Sequence, residues 1–145
     1  MTTDTAFHAA ERVVELTHAV QRYFDLMYDC DTSRFDQVFR STVQLHGFRG
    51  GQMLMWSASA YRGILDNRQS PKSANAPRCD EILLMDFASD SMALVKLRLR
   101  VGPAVYVDYL TWHRIDGEWL ITSKGYHIEA EGTAIRRESG GHAGP

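Results

Sequence analysis

The chain has little cysteine and no cysteine motif. Its 145 residues include two cysteines, Cys30 and Cys79, which lie far apart in unlike contexts and form no CxxC pair. This spacing excludes a zinc ribbon and a redox dithiol, because both need closely spaced cysteines. The simplest interpretation is a cytoplasmic protein with two free thiols, since structural disulfides are rare in reducing compartments.

Long apolar runs, a strong charge of one sign and the common catalytic motifs are also absent. No apolar run is long enough to cross a bilayer, and the first residues lack the basic start and apolar core of a secretion signal. The net charge of −2 favours neither nucleic acid nor an anionic membrane as a partner. No Walker loop, GxSxG, HExxH or GxGxxG occurs. The scattered histidines provide no HxH or HxxxH spacing, so we predict no metal and no cofactor.

What the sequence does contain is a succession of helix and strand patterns in a length that suits one domain. An apolar stripe at helical spacing predicts a long first helix, through Val13, Leu16, Thr17, Val20, Tyr23, Phe24 and Met27. A short second helix follows, and then a hairpin of strands over 42–48 and 52–56. A third helix is predicted over 58–67, with Ser57 as its N-cap.

The second half of the chain is rich in strands. Period-two alternation predicts strands over 80–87 and 92–101, followed by a hairpin over 105–127 that turns at 116–117. Helices come first and strands later, which is typical of α+β proteins. We predict a cone in which the N-terminal helices pack on a strongly curved, mostly antiparallel sheet. The cone occupies residues 1–130, and a disordered tail follows over 131–145.

The hairpin over 105–127 carries the groups best suited to chemistry. Asp108 stands in an apolar strand, on the same face as Tyr106, Leu110 and Trp112. We interpret this face as the cavity face, where desolvation would raise the pKa of Asp108 and suit it to general base catalysis or to holding a polar ligand. The alternative is an outward face, which would place Asp108 in water or at a dimer interface.

The position of Lys124 depends on the register of this hairpin. A two-residue turn at 116–117 pairs Asp108 with Gly125, which puts His127 on the Asp108 face and Lys124 on the opposite one. A single bulge beyond the turn would move Lys124 onto the Asp108 face. On the opposite face, Lys124 would form a cross-strand surface salt bridge of little energetic value.

Several further side chains fall on elements that would border the cavity. Core packing is the ordinary role of aromatic residues at such spacing, but a ring with a polar tip also suits a pocket wall. A histidine on the strand over 42–48 would point into the cavity or stand at its rim. The candidate ligand-binding residues are Tyr23, Tyr28, His46, Trp56, Tyr61 and Trp112.

Three segments resemble the nuclear transport factor 2-like superfamily, also called SnoaL-like or cystatin-like. They are YFDLMYDCDTSRFDQVF, LHGFRGGQMLMWSASAYRGIL and VDYLTWHRIDGEWLITSKGYH, and with the strands between them they cover roughly residues 13–127. Within the superfamily the chain looks most like the group labelled putative lumazine-binding. The resemblance implies a cystatin-like cone and a pterin-like ligand. It also favours the bulged register, because the equivalents of Asp108 and Lys124 recur together in the group.

The leading functional hypothesis is a SnoaL-like protein that binds a small molecule in an aromatic pocket. The first alternative is a cofactor-independent dehydratase, isomerase or cyclase. There Asp108 would act as the general base, and Lys124 or His127 would stabilise charge. The second alternative is a dimeric structural or protein-interaction module with a filled core.

A homodimer is predicted through the outer face of the sheet. That face combines a basic row with a partly aromatic row, and the mixture is too apolar for bare exposure to water. The two rows are Lys96, Arg98 and Arg100, and Tyr109, Thr111 and His113.

Overall fold

A curled six-stranded sheet packs one face against a long N-terminal helix in this computed structural model, which describes residues 2–131 and side chains from residue 8 onward. The elements are α1 (Thr2–Asp29), a 3₁₀ helix (Thr32–Gln37), β1 (Phe39–Arg49), β2 (Gln52–Ser57), α2 (Ala58–Asn67), β3 (Asp80–Ser89), β4 (Met92–Val101), β5 (Ala104–Ile115) and β6 (Glu118–Glu131). The strand order is β2-β1-β6-β5-β4-β3, and β1–β6 is the one parallel pair among the described strands. The predicted α+β class and mostly antiparallel sheet are confirmed.

The ends of the chain bear on the predicted domain limits. β6 continues to Glu131, one residue beyond the predicted boundary at 130. The predicted disordered tail falls on residues 132–145, which lie outside the described residues, so a single domain over 1–130 stays a prediction. Within residues 2–131, no helix has the length and apolarity needed to cross a bilayer.

Local sequence signals set several element boundaries. The Ser57 hydroxyl accepts a hydrogen bond from the Ala60 N–H, as expected for the N-cap of α2. Asp31 caps the 3₁₀ helix in the same way, through the N–H of Ser33. β1 is longer than the predicted 42–48, because its pairing with β6 already begins at Phe39.

The core lies between α1 and the concave face of the sheet. The helix face that packs there is centred on Leu16, Val20 and Tyr23, which are fully buried. Val13 and Thr17, at the start of the predicted stripe, point away from this face and are exposed. Burying one large apolar side chain contributes roughly 1.5–3 kcal/mol, so this interface is a main source of stability. From β4 the sheet contributes Val95, Leu97, Leu99 and Val101.

A bulge in β6 sets the register of the β5–β6 hairpin. Pairing shifts by one residue at Thr122, which has no partner on β5. Asp108 therefore pairs with Tyr126 rather than with Gly125, and Lys124 moves to the concave face. The bulged register that the family resemblance favours is confirmed.

The parallel junction between β1 and β6 requires glycine at position 47. Gly47 pairs with Tyr126, and the tyrosine ring covers the glycine. A Cβ atom built on Gly47 would lie 2.1–2.6 Å from three carbons of that ring. Any larger side chain must therefore push the ring or the two strands apart.

We expect Gly47→Ala to lower the free energy of unfolding by roughly 1–3 kcal/mol, because its methyl group overpacks this junction. Urea denaturation followed by circular dichroism measures the change. Gly63→Ala in α2 is the matched control, because nothing lies within 4 Å of its added Cβ. Alanine also suits a helix, so this control should be as stable as the wild type or more stable by up to about 1 kcal/mol. A Gly47→Ala protein of wild-type stability would contradict the tight packing at position 47.

Candidate functional site

Four polar side chains meet in the core between α1, α2 and the β5–β6 hairpin, and we call them the polar cluster: Tyr23, Tyr61, Asp108 and Lys124. Asp108 is 1 % exposed and Lys124 is 2 % exposed, and no other charged side chain that the structure describes is buried to this degree. Both tyrosines are completely buried. Charged groups in such a position need partners, because burial of an unpaired charge is strongly unfavourable.

Secondary structure brings these residues together from three separate segments. Tyr23 lies on the buried face of α1, and Tyr61 lies on the buried face of α2. Asp108 lies two positions from Tyr106 and from Leu110 on β5 and shares their face, which is the concave one. Lys124 reaches that face only because of the bulge at Thr122.

Hydrogen bonds link the cluster into two pairs. The Tyr23 hydroxyl donates to Asp108 Oδ2 over 2.5 Å, and Lys124 Nζ donates to the Tyr61 hydroxyl over 3.0 Å. The Tyr61 hydroxyl in turn donates to the sulfur of Met27 over 3.3 Å. Lys124 Nζ lies 3.9 Å from Asp108 Oδ2, an ion-pair distance that is too long for a direct hydrogen bond.

Two features of the cluster remain available to a bound molecule. Asp108 Oδ1 is buried and accepts no hydrogen bond from any residue in the described part of the chain. The Lys124 ammonium carries three N–H donors and donates one hydrogen bond, to Tyr61. It also lies 4.7 Å from the ring centroid of Tyr61 and 5.4 Å from that of Tyr23, so cation–π attraction helps to hold it.

Burial and mutual contacts shift the pKa values of the cluster. Burial raises the pKa of Asp108 above its ordinary value, although Lys124 and Tyr23 partly oppose this. Burial alone would lower the pKa of Lys124, but Tyr61 and Asp108 stabilise the ammonium and raise the pKa instead. The pKa of Tyr23 is raised well above its ordinary value by burial and by the Asp108 charge, so its phenol stays protonated and donates.

Aromatic and cationic residues border the polar cluster, and we call them the rim: Trp56, Arg68, Tyr106 and Tyr126. The indole N–H of Trp56 donates to the Tyr126 hydroxyl over 3.3 Å, and the rings of Tyr106 and Tyr126 lie 6.2 Å apart. Arg68 follows α2 and is half-buried, as is Trp56. The charge of Arg68 acts against the rise in the pKa of both Asp108 and Tyr106. The rim therefore combines flat rings with a positive charge.

The structure places His127 and His46 away from the cluster, which corrects two of the predicted site positions. His127 pairs with Val107 and is exposed on the convex face. Lys124 and His127 are three residues apart on one strand, so the bulge that turns Lys124 inward turns His127 outward. His46 is half-buried on the convex face, because its neighbours Leu45 and Gly47 occupy the concave one.

Tyr28 and Trp112, two further candidate ligand-binding residues, lie outside the polar cluster and the rim. The Tyr28 hydroxyl donates to the carbonyl of Ala76, and the Arg78 guanidinium lies 4.5 Å from its ring centroid, so Tyr28 fastens the loop before β3 to the end of α1. Trp112 is completely buried as part of the hydrophobic core. Of the six candidate ligand-binding residues, Tyr23 and Tyr61 join the cluster and Trp56 joins the rim.

The sequence analysis did not identify three of the rim residues as site residues. Tyr106 shares the predicted face of Asp108, so period-two alternation could have identified it. Tyr126 faces Asp108 only in the bulged register. Arg68 follows a helix that ends in a polar loop, and no local pattern distinguishes it from solvated arginines.

The four side chains of the cluster have almost no exposed surface. Three cavities lined by described residues have volumes near 310, 260 and 510 Å³, and none of these three includes Asp108 or Lys124 in its lining. Within the described part of the chain, no three His, Cys, Asp or Glu side chains come together to hold a metal ion. Cys30 and Cys79 are free thiols.

Comparison with known proteins identifies a family and a fold. The sequence profile of the family described as "Putative lumazine-binding" matches residues 11–127. An NTF2-like protein of unknown function from Silicibacter pomeroyi is 21 % identical, with a TM-score of 0.76 over 83 % of this chain and 98 % of that one. A cystatin-like fold protein from Burkholderia xenovorans is 15 % identical, with a TM-score of 0.62 over 83 % of this chain and 93 % of that one.

A ketosteroid isomerase-like protein from Erwinia carotovora atroseptica is 13 % identical, with a TM-score of 0.65 over 83 % of this chain and 98 % of that one. At such identities these structures establish the NTF2-like, cystatin-like fold and nothing about chemistry. No curated protein matches the chain.

We expect Lys124→Met to lower the free energy of unfolding by about 3–5 kcal/mol at pH 8, because it leaves the Asp108 carboxylate buried without its counter-charge. Loss of the ammonium raises the pKa of Asp108 further. A raised folded-state pKa means that the folded protein binds this proton more tightly than the unfolded chain does. The destabilisation should therefore shrink as the pH falls through the folded-state pKa, and urea denaturation at pH 8 and pH 5.5 measures it.

Lys96→Met is the matched control for this series. Lys96 lies on the convex face of β4, where its ammonium is 5.5 Å from the ring centroid of Tyr109. Its loss should change stability by about 1 kcal/mol or less, and equally at both pH values. A pH-independent effect of Lys124→Met would show that the Asp108–Lys124 contact is not an ion pair.

Proposed function

The chain belongs to the family described as "Putative lumazine-binding", and we propose that it binds a small molecule on the concave side of the sheet, against Asp108 and Lys124. The observation that carries this proposal is the buried Asp108 Oδ1, which has no hydrogen-bond partner among the described residues. An unsatisfied buried polar group costs about 1–3 kcal/mol, so a site that keeps one gains when a ligand satisfies it. Lys124 offers the ligand a second contact.

The rim supports an aromatic pocket around this polar centre. Trp56, Tyr106 and Tyr126 present rings and polar tips next to the cluster, and such rings stack on flat ligands. A pterin-like ligand, which the family description suggests, is flat and carries several hydrogen-bonding atoms. Pockets of this kind join an apolar wall to a few convergent polar groups, and the rim and the cluster together have this composition.

We expect native mass spectrometry of freshly purified protein to detect a retained small molecule. Asp108→Asn should bind the recovered molecule roughly 10- to 100-fold more weakly, because a charge-assisted hydrogen bond contributes about 1.5–3 kcal/mol. Isothermal titration measures both affinities. Asp86→Asn, at an exposed position on β3, is the control and should bind like the wild type. If Asp108→Asn binds the molecule as tightly as the wild type, Asp108 is not part of the binding site. If the variant unfolds, Asp108 stabilises the fold through a buried ion pair.

The Oδ1 atom of Asp108 also favours a second candidate function, that of a cofactor-independent dehydratase, isomerase or cyclase. Asp108 Oδ1 is unoccupied and could accept a proton from a ligand carbon, while Lys124 stabilises negative charge on a neighbouring ligand oxygen. His127 has no part in this scheme, because it lies on the convex face. An enzyme of this type would exchange a ligand C–H for deuterium in D₂O, and Asp108→Asn would stop the exchange. A binding protein would exchange none.

The convex face of the sheet supports the proposal of a homodimer. Five large apolar side chains on this face are about half exposed or more, namely Tyr109 at 47 %, Leu84 at 49 %, Met55 at 53 %, Met53 at 61 % and Phe48 at 63 %. The predicted basic row is largely neutralised, since Arg98 pairs with Glu81 and Glu129, and Lys96 lies over the Tyr109 ring. An apolar patch flanked by internally paired charges suits a second copy of itself better than a charged partner.

A cytoplasmic location stays a prediction.

We expect the wild-type protein to sediment as a dimer at micromolar concentration and Tyr109→Glu to sediment as a monomer, because a charge on the patch opposes its burial. Val14→Glu, at a position on α1 that is 54 % exposed, is the control and should remain dimeric. A wild-type protein that is monomeric in analytical ultracentrifugation at tens of micromolar would contradict this interface.

A further inference from the structure

We infer that Thr122 and His113 are positioning residues for the site, because their contact on the convex face holds the register of β6 that places Lys124 beside Asp108. Both side chains lie on the opposite side of the sheet from the polar cluster and act on it through the bulge. This inference rests on the proposed function, because it explains how a residue of the proposed site is kept in place.

The Thr122 side chain forms two contacts across the β5–β6 hairpin. Its hydroxyl donates to the carbonyl of Thr111 over 3.4 Å, and Nδ1 of His113 lies 2.6 Å from the same hydroxyl oxygen. Both contacts are hydrogen bonds when the imidazole has its proton on Nδ1 and donates it to the hydroxyl. Side-chain bonds therefore link the two strands at the position where their backbone pairing shifts by one residue.

These bonds compensate for pairing that the bulge gives up. In a regular hairpin with the turn at 116–117, Thr122 would pair with Thr111 through the backbone. In the observed pairing Thr122 has no partner on β5, and its hydroxyl contacts the Thr111 carbonyl instead. A bulge interrupts the backbone ladder, so a side-chain donor at this point favours the bulged register over the regular one.

The contact also lies closer to the turn than Lys124 does. A hairpin pairs outward from its turn, because the shortest loops close most readily, and Thr122 is reached before Lys124. The register is thus selected at Thr122 before the ion pair with Asp108 can form. A regular register would pair Lys124 with Tyr109 on the convex face, where the ammonium would be exposed to water. The exposure of Lys124 therefore reports the register.

Acetylation of lysine by N-acetoxysuccinimide, followed by mass spectrometry of peptides, measures this exposure without any ligand. Lys72 is exposed in the loop before β3 and is the internal reference. We expect Thr122→Val, which replaces the hydroxyl with a methyl group, to speed the acetylation of Lys124 relative to Lys72 roughly 3- to 10-fold, as loss of a hydrogen bond implies. His113→Phe, which leaves Thr122 with one contact, should act in the same direction.

Two control variants and a second measurement separate positioning from general stability. Thr122→Ser keeps the hydroxyl and should retain the wild-type rate. Thr111→Val makes the same change of side chain on β5 and keeps the carbonyl, so it should retain that rate too. Hydrogen exchange at the amide of Leu97, which is fully buried on β4, should be unchanged in Thr122→Val, because valine suits a strand. A merely stabilising role for Thr122 would speed this exchange as much as the acetylation.

Three results would overturn the inference: wild-type acetylation of Lys124 in Thr122→Val, acetylation in Thr122→Ser as fast as in Thr122→Val, or an equal rise in the exchange at Leu97. Each of them leaves the proposed function standing, because binding by Asp108→Asn tests that function separately. If Lys124 of the wild type is acetylated as fast as Lys72, the buried ion pair is absent, and the proposed function fails together with the inference.

Discussion

The contact between Asp108 and Lys124 constrains the rest of the molecule more than any other interaction. Each charge is almost completely buried, and each would be strongly unfavourable there without the other. Tyr23 and Tyr61 supply the remaining hydrogen bonds, so α1 and α2 must pack with these two hydroxyls at fixed positions. A core built this way gives up stability compared with an apolar one, and titratable groups perturbed in this way cluster at functional sites.

Most of the fold could be predicted from the sequence because its signals are local. The alternation of β4, the turn after β5 and the Ser57 cap are each encoded within a few residues, and the structure confirms them. The parallel pairing of β1 with β6 is different, because no pattern within either strand specifies a partner so far along the chain. It lengthens β1 before its predicted start at residue 42.

The site was predictable in part, for a related reason. Asp108 could be placed on the concave face, because period-two alternation fixes the face of every residue on a regular strand. Lys124 and His127 could not be assigned by alternation, since one extra residue at Thr122 exchanges their faces. The resemblance to a family supplied that register. No local sequence pattern identifies Arg68 as a site residue, because only the tertiary structure brings the end of α2 next to the other rim residues.

The β1–β6 junction also has a consequence for how the chain folds. β3 to β6 form successive antiparallel pairs between neighbours in sequence, and such pairs can form early because their loops are short. β1 joins this sheet only through β6, after nearly the whole chain has been made, and the Tyr126 ring must settle over Gly47 as it docks. Such long-range pairing raises the contact order of the fold, and high contact order slows folding. We therefore expect the docking of β1 on β6 to come late in folding, and the hydrophobic face of α2 has no finished sheet to pack on until then.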